Sequence, residues 1–382
     1  MATLQKNKRK LKLAIIGKGT AGSLAINHFS NYTDLEIDCY FNSNIKEQSV
    51  GEGSTVDIPT TLQDTINFSY TDYKQLDATI KTGISYVGWG SKDYFHSFTP
   101  PYVSMHFNAI KLQEFLQHKN KKRFKFIEKN IVDNTDIDAD YVIDCSGSPK
   151  KINTEYMSAK YIPVNKVLLK QLSIENTIQN YTMCVARPHG WIFVIPLINR
   201  ISFGYLHNKT INSEEEIHYD LNKFMYENKY ETNNDYKTLD FNNYYRKYNF
   251  DDNLFYNGNV SFFTEPMEAT SLATVDMINR KIYDVIYKNS TSAMENLWYT
   301  SWFKQVQHII TLHYFAKSKY DTEFWDYAYK LAHKCMKNFS FKNKLLDMLD
   351  TKNSIGSYGT WDIDNFSQNI KGLDIEKKLR AI

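Results

Sequence analysis

Apolar residues come in short unbroken runs near the start of the chain and at helical spacing towards its end. Leu11-Lys12-Leu13-Ala14-Ile15-Ile16 is a short apolar strand that runs into a glycine cluster, and Ser23 to Ser30 behind it has the pattern of a helix. A second strand, Leu35 to Phe41, follows at the interval of a β-α-β unit. Tyr141-Val142-Ile143 reads as another buried strand, and in Gly190 to Pro196 the alternation puts Trp191, Phe193 and Ile195 on one strand face. Helical spacing is read over Tyr73 to Ile84 and over Trp298 to Leu312. Between Asn208 and Tyr248 the chain is polar and tyrosine-rich and carries no recognisable motif. Strands alternating with helices predict an α/β fold.

The glycine cluster Gly17-Lys18-Gly19-Thr20-Ala21-Gly22 is G-x-G-x-x-G between strand and helix, the context in which it binds a dinucleotide. Gly17 permits the tight turn, Gly19 lets backbone approach a pyrophosphate, and Gly22 lets the helix pack closely on the strand. The helix start at Thr20 and Ala21 offers unpaired N–H groups to phosphate. No carboxylate follows the second strand, where a ribose partner is expected, and Asn42 is the neutral substitute. Asp144-Cys145-Ser146-Gly147 resembles the second nucleotide-contacting turn of FAD enzymes, and Gly258-Asn259 stands where such flavoproteins have Gly-Asp. Turns dispersed in this order favour FAD over NAD. The expected architecture is a Rossmann-like FAD-binding domain (residues 1–150 with 250–290), an inserted mostly antiparallel sheet (151–249) and a C-terminal helical cap (291–382).

Three further segments carry a resemblance. Gly190 to Pro196 reads G-W-I-F-V-I-P, Glu265 to Ser271 reads E-P-M-E-A-T-S, and Leu312 to Trp325 reads L-H-Y-F-A-K-S-K-Y-D-T-E-F-W. With Lys81 and the fingerprint, they resemble the flavin-dependent halogenases of the tryptophan halogenase family. The resemblance implies an oxidoreductase that uses reduced FAD (FADH2), oxygen and a halide ion to halogenate an electron-rich aromatic substrate of indole or phenol type, through hypohalous acid. It implies that Lys81 captures the hypohalous acid, by hydrogen bonding or as a haloamine, and that Glu268 orients the electrophile or takes the ring proton. Trp191, Phe193 and Pro196 would form the barrier between flavin and substrate, and backbone amides at Thr270 and Ser271 would hold the halide. Gly51 and Glu52, in Val50-Gly51-Glu52-Gly53-Ser54-Thr55, match a segment that lies over the flavin. This chain departs from the family pattern at Phe193 (for Trp), Ala269 (for Ser), Lys319 (for Arg) and Glu323 (for Pro). A flavin monooxygenase and an inactive FAD-binding homologue remain alternatives.

Composition narrows the rest. With 382 residues and 42% hydrophobic content the chain can bury one large core or two fused ones. A net charge of +3 with dispersed lysines gives no nucleic-acid role, and Leu13 to Ile16 is too short for a membrane span. Four isolated cysteines (Cys39, Cys145, Cys184, Cys335) read as reduced thiols in a cytoplasmic protein, and no metal-ligand spacing occurs. A single nucleotide fingerprint implies that a separate flavin reductase supplies the reduced cofactor. Homo-oligomerisation stays open.

Overall fold

The computed structural model describes residues 9–45, 52–132, 137–175, 177–231, 235–338, 342–351 and 363–382. Gly51 lies outside the described residues. The apolar run at the start forms the strand Lys12–Ile16 in the middle of a six-stranded sheet. From one edge the order is Phe250–Asp251, Leu254–Tyr256, Tyr141–Asp144, Lys12–Ile16, Glu36–Phe41 and Phe124–Glu128. All pairs are parallel except the hairpin of the first two, and Ile15 lies opposite Cys39 on one side and Ile143 on the other. Leu13 and Ile15 enter the large core, while Ala14 and Ile16 pack with Tyr40 and Val142 on the opposite face. Burial on both faces explains why this strand is continuously apolar.

Helix Thr20–Tyr32 crosses between the first two strands and packs on helices Ala109–Asn120 and Thr270–Tyr287. A Cβ at Gly22 would lie 1.9 Å from the Gly17 carbonyl oxygen, so the close helix–strand approach requires glycine.

A second, seven-stranded sheet has the order Lys237–Asp240, Lys166–Ser173, Arg200–His207, Gly190–Pro196, Thr182–Arg187, Gly83–Val87 and Tyr94–Ser97. It is antiparallel apart from the pairing of Thr182–Arg187 with Gly83–Val87. Its last two strands come from the first 150 residues, so the two sheets share the N-terminal part of the chain. Alternation along Gly190–Pro196 divides two cores: Trp191 and Phe193 face the large one, and Ile192 and Val194 the smaller one beneath helix Glu214–Glu227. The C-terminal quarter is helical, with Ser292–Ala316 and Glu323–Lys337 followed by Lys342–Thr351, Ile363–Gly372 and Glu376–Arg380. Trp325 Nε1 donates to the Arg187 carbonyl at 2.8 Å and ties these helices to the second sheet. Among the described residues no helix is long and apolar enough to cross a membrane.

Two expectations are corrected. The expected helix over Tyr73 to Ile84 is a 3-10 turn, Tyr70–Leu76, followed by the strands Thr79–Lys81 and Gly83–Val87. Asp77 stops the turn in the left-handed region (φ 49°), and the β-branched Thr79, Ile80, Thr82 and Ile84 then favour extended backbone. The motif-free stretch after Asn208 holds helix Glu214–Glu227, started by a capping box between Ser213 and Glu216. That S-x-x-E spacing was the signal for it.

Candidate active site

The glycine turns expected to hold a dinucleotide gather where the six-stranded sheet presents its strand C-termini, the usual position of a ligand in an open α/β sheet. Gly17 has φ +97° and its N–H donates to the Tyr40 carbonyl at 2.8 Å; a Cβ there would lie 2.5 Å from the Cys145 oxygen. Gly19 precedes helix Thr20–Tyr32 without a side-chain cap, and the space a Cβ would take there is open. The same space is open at Gly147 (φ +100°). Open backbone beside an uncapped helix start is what a pyrophosphate needs, so these residues fit a dinucleotide.

The remaining predicted contacts surround that opening. Thr20 Oγ1 accepts from Gln113 Nε2 at 2.9 Å, and Gly258 packs so closely that its Cβ would lie 2.6 Å from the Ala21 Cβ. Asp144 accepts from the Ser146 N–H at 2.9 Å, and burial pushes its carboxyl up. Asn259 reaches Ser148 Oγ at 3.4 Å. Asn42 accepts from the Asn44 N–H at 2.9 Å in its own turn and donates to Asn130 Oδ1 at 3.0 Å, so both ends of its amide are engaged within the protein. Glu52 is buried against the Arg200 guanidinium; burial raises its carboxyl and Arg200 opposes the rise.

Lys81 ends the three-residue strand Thr79–Lys81, which pairs with Ser104–His106 so that Lys81 stands opposite Ser104. Its side chain is 3% exposed, with Nζ donating to the Ser54 carbonyl at 3.1 Å and lying 5.5 Å from the centre of the Phe98 ring. Burial pushes the ammonium down to about 8, and the Glu268 carboxylate works against that fall. The two groups therefore sense one another across one buried region.

Glu268 lies just before helix Thr270–Tyr287. Pro266 opens the turn, the Ala269 N–H donates to its carbonyl at 3.0 Å, and both Glu268 (φ 62°) and Ala269 (φ 53°) adopt left-handed backbone. That conformation costs about 1–2 kcal/mol at each non-glycine residue. Its result is a buried carboxylate whose Oε1 accepts from the Tyr86 hydroxyl and from Asn369 Nδ2 at 3.4 Å, with His313 Nε2 at 3.2 Å and His96 Nδ1 at 4.0 Å beside it. Oε2 carries no hydrogen bond among the described residues. Burial alone would raise Glu268; the His313 contact, the His96 charge and the Tyr86 bond overcome it and hold the carboxyl down at about 2. The helix behind it has no side-chain cap and no acidic residue in its first turn. Thr270 and Ser271 thus begin a helix whose N-terminal N–H groups take no side-chain cap among the described residues.

Trp191 is buried, and its Nε1 donates to Tyr314 Oη at 2.9 Å. Phe193 packs 6.4 Å from it, centre to centre, and Trp89 lies 6.2 Å away on the other side. The aromatic wall ends at Pro196, whose carbonyl accepts from Thr79 Oγ1 at 2.7 Å. This bond links the wall to the strand that carries Lys81.

The family profile for tryptophan halogenases matches residues 12–132 and 125–346, most of the chain. The chain belongs to the tryptophan halogenase family. Tryptophan 6-halogenase SttH of Streptomyces toxytricini is 23% identical over 59% of this chain and 48% of its own length. Tryptophan 7-halogenase RebH of Lentzea aerocolonigenes is 23% identical over 49% of this chain and 38% of its own length. The chain thus spans about half or less of the curated relatives it matches. The crystal structure of a tryptophan halogenase from Shewanella frigidimarina NCIMB 400 superposes with a TM-score of 0.79 at 17% identity, covering 98% of this chain and 93% of that one. BrvH, a flavin-dependent halogenase from Brevundimonas sp. BAL3, gives 0.78 at 17% identity over 98% and 93%. At that identity the likeness is one of fold.

The halogenase-family motifs meet residues that sequence reasoning gave no role. Tyr86, His313 and Asn369 come to Glu268 from a strand, a long helix and a C-terminal helix. His106, neutralised by burial and by the Lys81 charge, bridges Thr182 Oγ1 at 2.7 Å and Thr79 Oγ1 at 3.1 Å beneath the lysine strand. No local spacing announces contacts made between elements so distant in sequence.

Proposed function

We propose that this protein is a flavin-dependent halogenase that transfers an oxidised halogen to an electron-rich aromatic carbon, with Lys81 and Glu268 carrying the transfer. The observation that supports it most is the shared burial of these two groups with opposite protonation tendencies, an ammonium eased towards neutrality and a carboxylate held ionised. The glycine turns would hold FAD, which when bound in reduced form supplies the electrons for dioxygen and halide to become hypohalous acid and water. The halide would sit at the N–H groups of Thr270 and Ser271. The aromatic wall of Trp191, Phe193 and Pro196 keeps substrate and cofactor apart, so halogen rather than oxygen reaches the ring.

At the far side Lys81 binds the hypohalous oxygen through an N–H, which weakens the oxygen–halogen bond. The ring takes the halogen, the departing hydroxide takes a proton from the Lys81 ammonium and leaves as water, and Glu268 Oε2 takes the ring proton. Loss of that proton to solvent with reprotonation of Lys81 resets the pair. Oε1, held by Tyr86 and Asn369, fixes the carboxylate plane for that step. A separate reductase would supply the reduced flavin, and indoles or phenols are the substrate class. The experiment is a panel of both with reductase-supplied FADH2 and chloride, bromide or iodide, read by mass spectrometry under labelled dioxygen. Halide-dependent mass gain supports the reading; labelled oxygen in the ring instead, or no product with any combination, overturns it.

A further inference from the structure

Glu265 is fully buried, three residues before Glu268, and the proposed reaction gives it no role. Its Oε2 accepts from Tyr314 Oη at 2.8 Å, and Tyr314 Oη in turn accepts from Trp191 Nε1 at 2.9 Å. Oε1 has no partner among the described residues. Around it stand Tyr314 on helix Ser292–Ala316, Trp191 on Gly190–Pro196, and the Cys184 thiol on Thr182–Arg187, which the Glu265 charge helps to push up. Among the described residues, no Lys, Arg or His is paired with it.

We infer that Glu265 is a positioning residue for the flavin–substrate barrier, acting as an uncharged carboxylic acid that fixes the Trp191 indole through the Tyr314 hydroxyl. The inference rests on the halogenase reading for what the barrier separates, but the chain of bonds stands by itself. Trp191 can donate only through Nε1, and Tyr314 Oη can accept from it while donating onward only if an acceptor waits beyond. Glu265 is that acceptor. A neutral acid suits the place because an ionised carboxylate without a cation would be costly in an apolar wall. Consistent with this, burial pushes Glu265 up to about 8, whereas Glu268 is held at about 2. Raising the pH through that region would place an uncompensated charge behind the indole and loosen its seat.

The test uses the full chain labelled with 15N-tryptophan, in which the Trp191 indole N–H signal is picked out among six by Trp191→Phe. In the parent the signal should shift with pH, with a midpoint near 8; in Glu265→Gln it should stay at the parent's low-pH position throughout. Lys81 titrates in the same range, so a shift retained in Glu265→Gln belongs to Lys81 and overturns the inference, as does a parent signal that does not move. Glu265→Leu removes the acceptor: indole N–H exchange should rise at least tenfold, and peroxide released per flavin oxidised at least fivefold. Glu265→Gln should restore both to within twofold of the parent. Parent-like exchange in a folded Glu265→Leu protein contradicts the proposal, and if that variant does not fold, the parent and glutamine titrations decide. Absence of halogenated product from the parent would strike the halogenase reading alone, since the indole signals need no turnover.

Discussion

Glu265 and Glu268 are both buried in one turn of chain, yet their surroundings drive them apart. Two imidazoles and a tyrosine hydroxyl hold Glu268 ionised, whereas Glu265 meets only neutral donors and is driven towards the protonated acid. One turn therefore carries an ionised carboxylate and, three residues earlier, a carboxyl driven towards neutrality. Left-handed backbone at Glu268 and Ala269 ends this turn and leads into helix Thr270–Tyr287.

Gly19→Val should abolish flavin binding and leave the fold intact. Its Cβ meets only open space, so the added side chain opposes the pyrophosphate and not the protein. Gly22→Ala should behave oppositely, because its Cβ would overlap the Gly17 carbonyl, and overpacking of this kind costs about 1–3 kcal/mol. Flavin titration beside thermal melts separates the two; a Gly19→Val protein with parent flavin affinity would remove the cofactor assignment.

Trp191→Ala should destabilise the fold by roughly 3–5 kcal/mol and raise the peroxide released per flavin oxidised. Trp191→Phe keeps the ring but loses the bond to Tyr314, for about 1 kcal/mol. Denaturant melts and peroxide assays give both numbers. Full coupling in the alanine protein would show that this wall is not the barrier.

Lys81→Met should make the protein more stable at neutral pH. The folded-state ammonium is pushed down from 10.5 to about 8, so below pH 8 the folded protein bears a disfavoured charge. That difference is worth at most about 3 kcal/mol, less the bond to the Ser54 carbonyl. The unfolded chain holds its proton more tightly, so parent stability should rise between pH 8 and 10.5, and the methionine variant should lack that slope. Melting curves across this range check the sign.

Much of this was legible in the sequence because it is local. The fingerprint sits in consecutive residues between a strand and a helix, and the alternation of Trp191 and Phe193 with Ile192 and Val194 records two cores directly. What was illegible is long-range. The strand bearing Lys81 is three residues long and exists because Ser104–His106 pairs with it, so helical spacing around Tyr73 misled. Its β-branched residues were the better signal. The groups around Glu268, the donors at positions 86 and 369 and the imidazoles at 96 and 313, are brought together only by folding.

The central claim is that Lys81 transfers the halogen. The measurement is halogenated product per flavin oxidised in the parent and in Lys81→Met, with freed hypohalous acid trapped by a scavenger. Lys81→Met should oxidise flavin at the parent rate, lose halogenated product by orders of magnitude at about 1.4 kcal/mol of transition-state stabilisation per factor of ten, and deliver the halogen to the scavenger instead. A Lys81→Met protein that halogenates bound substrate at the parent rate would contradict the account.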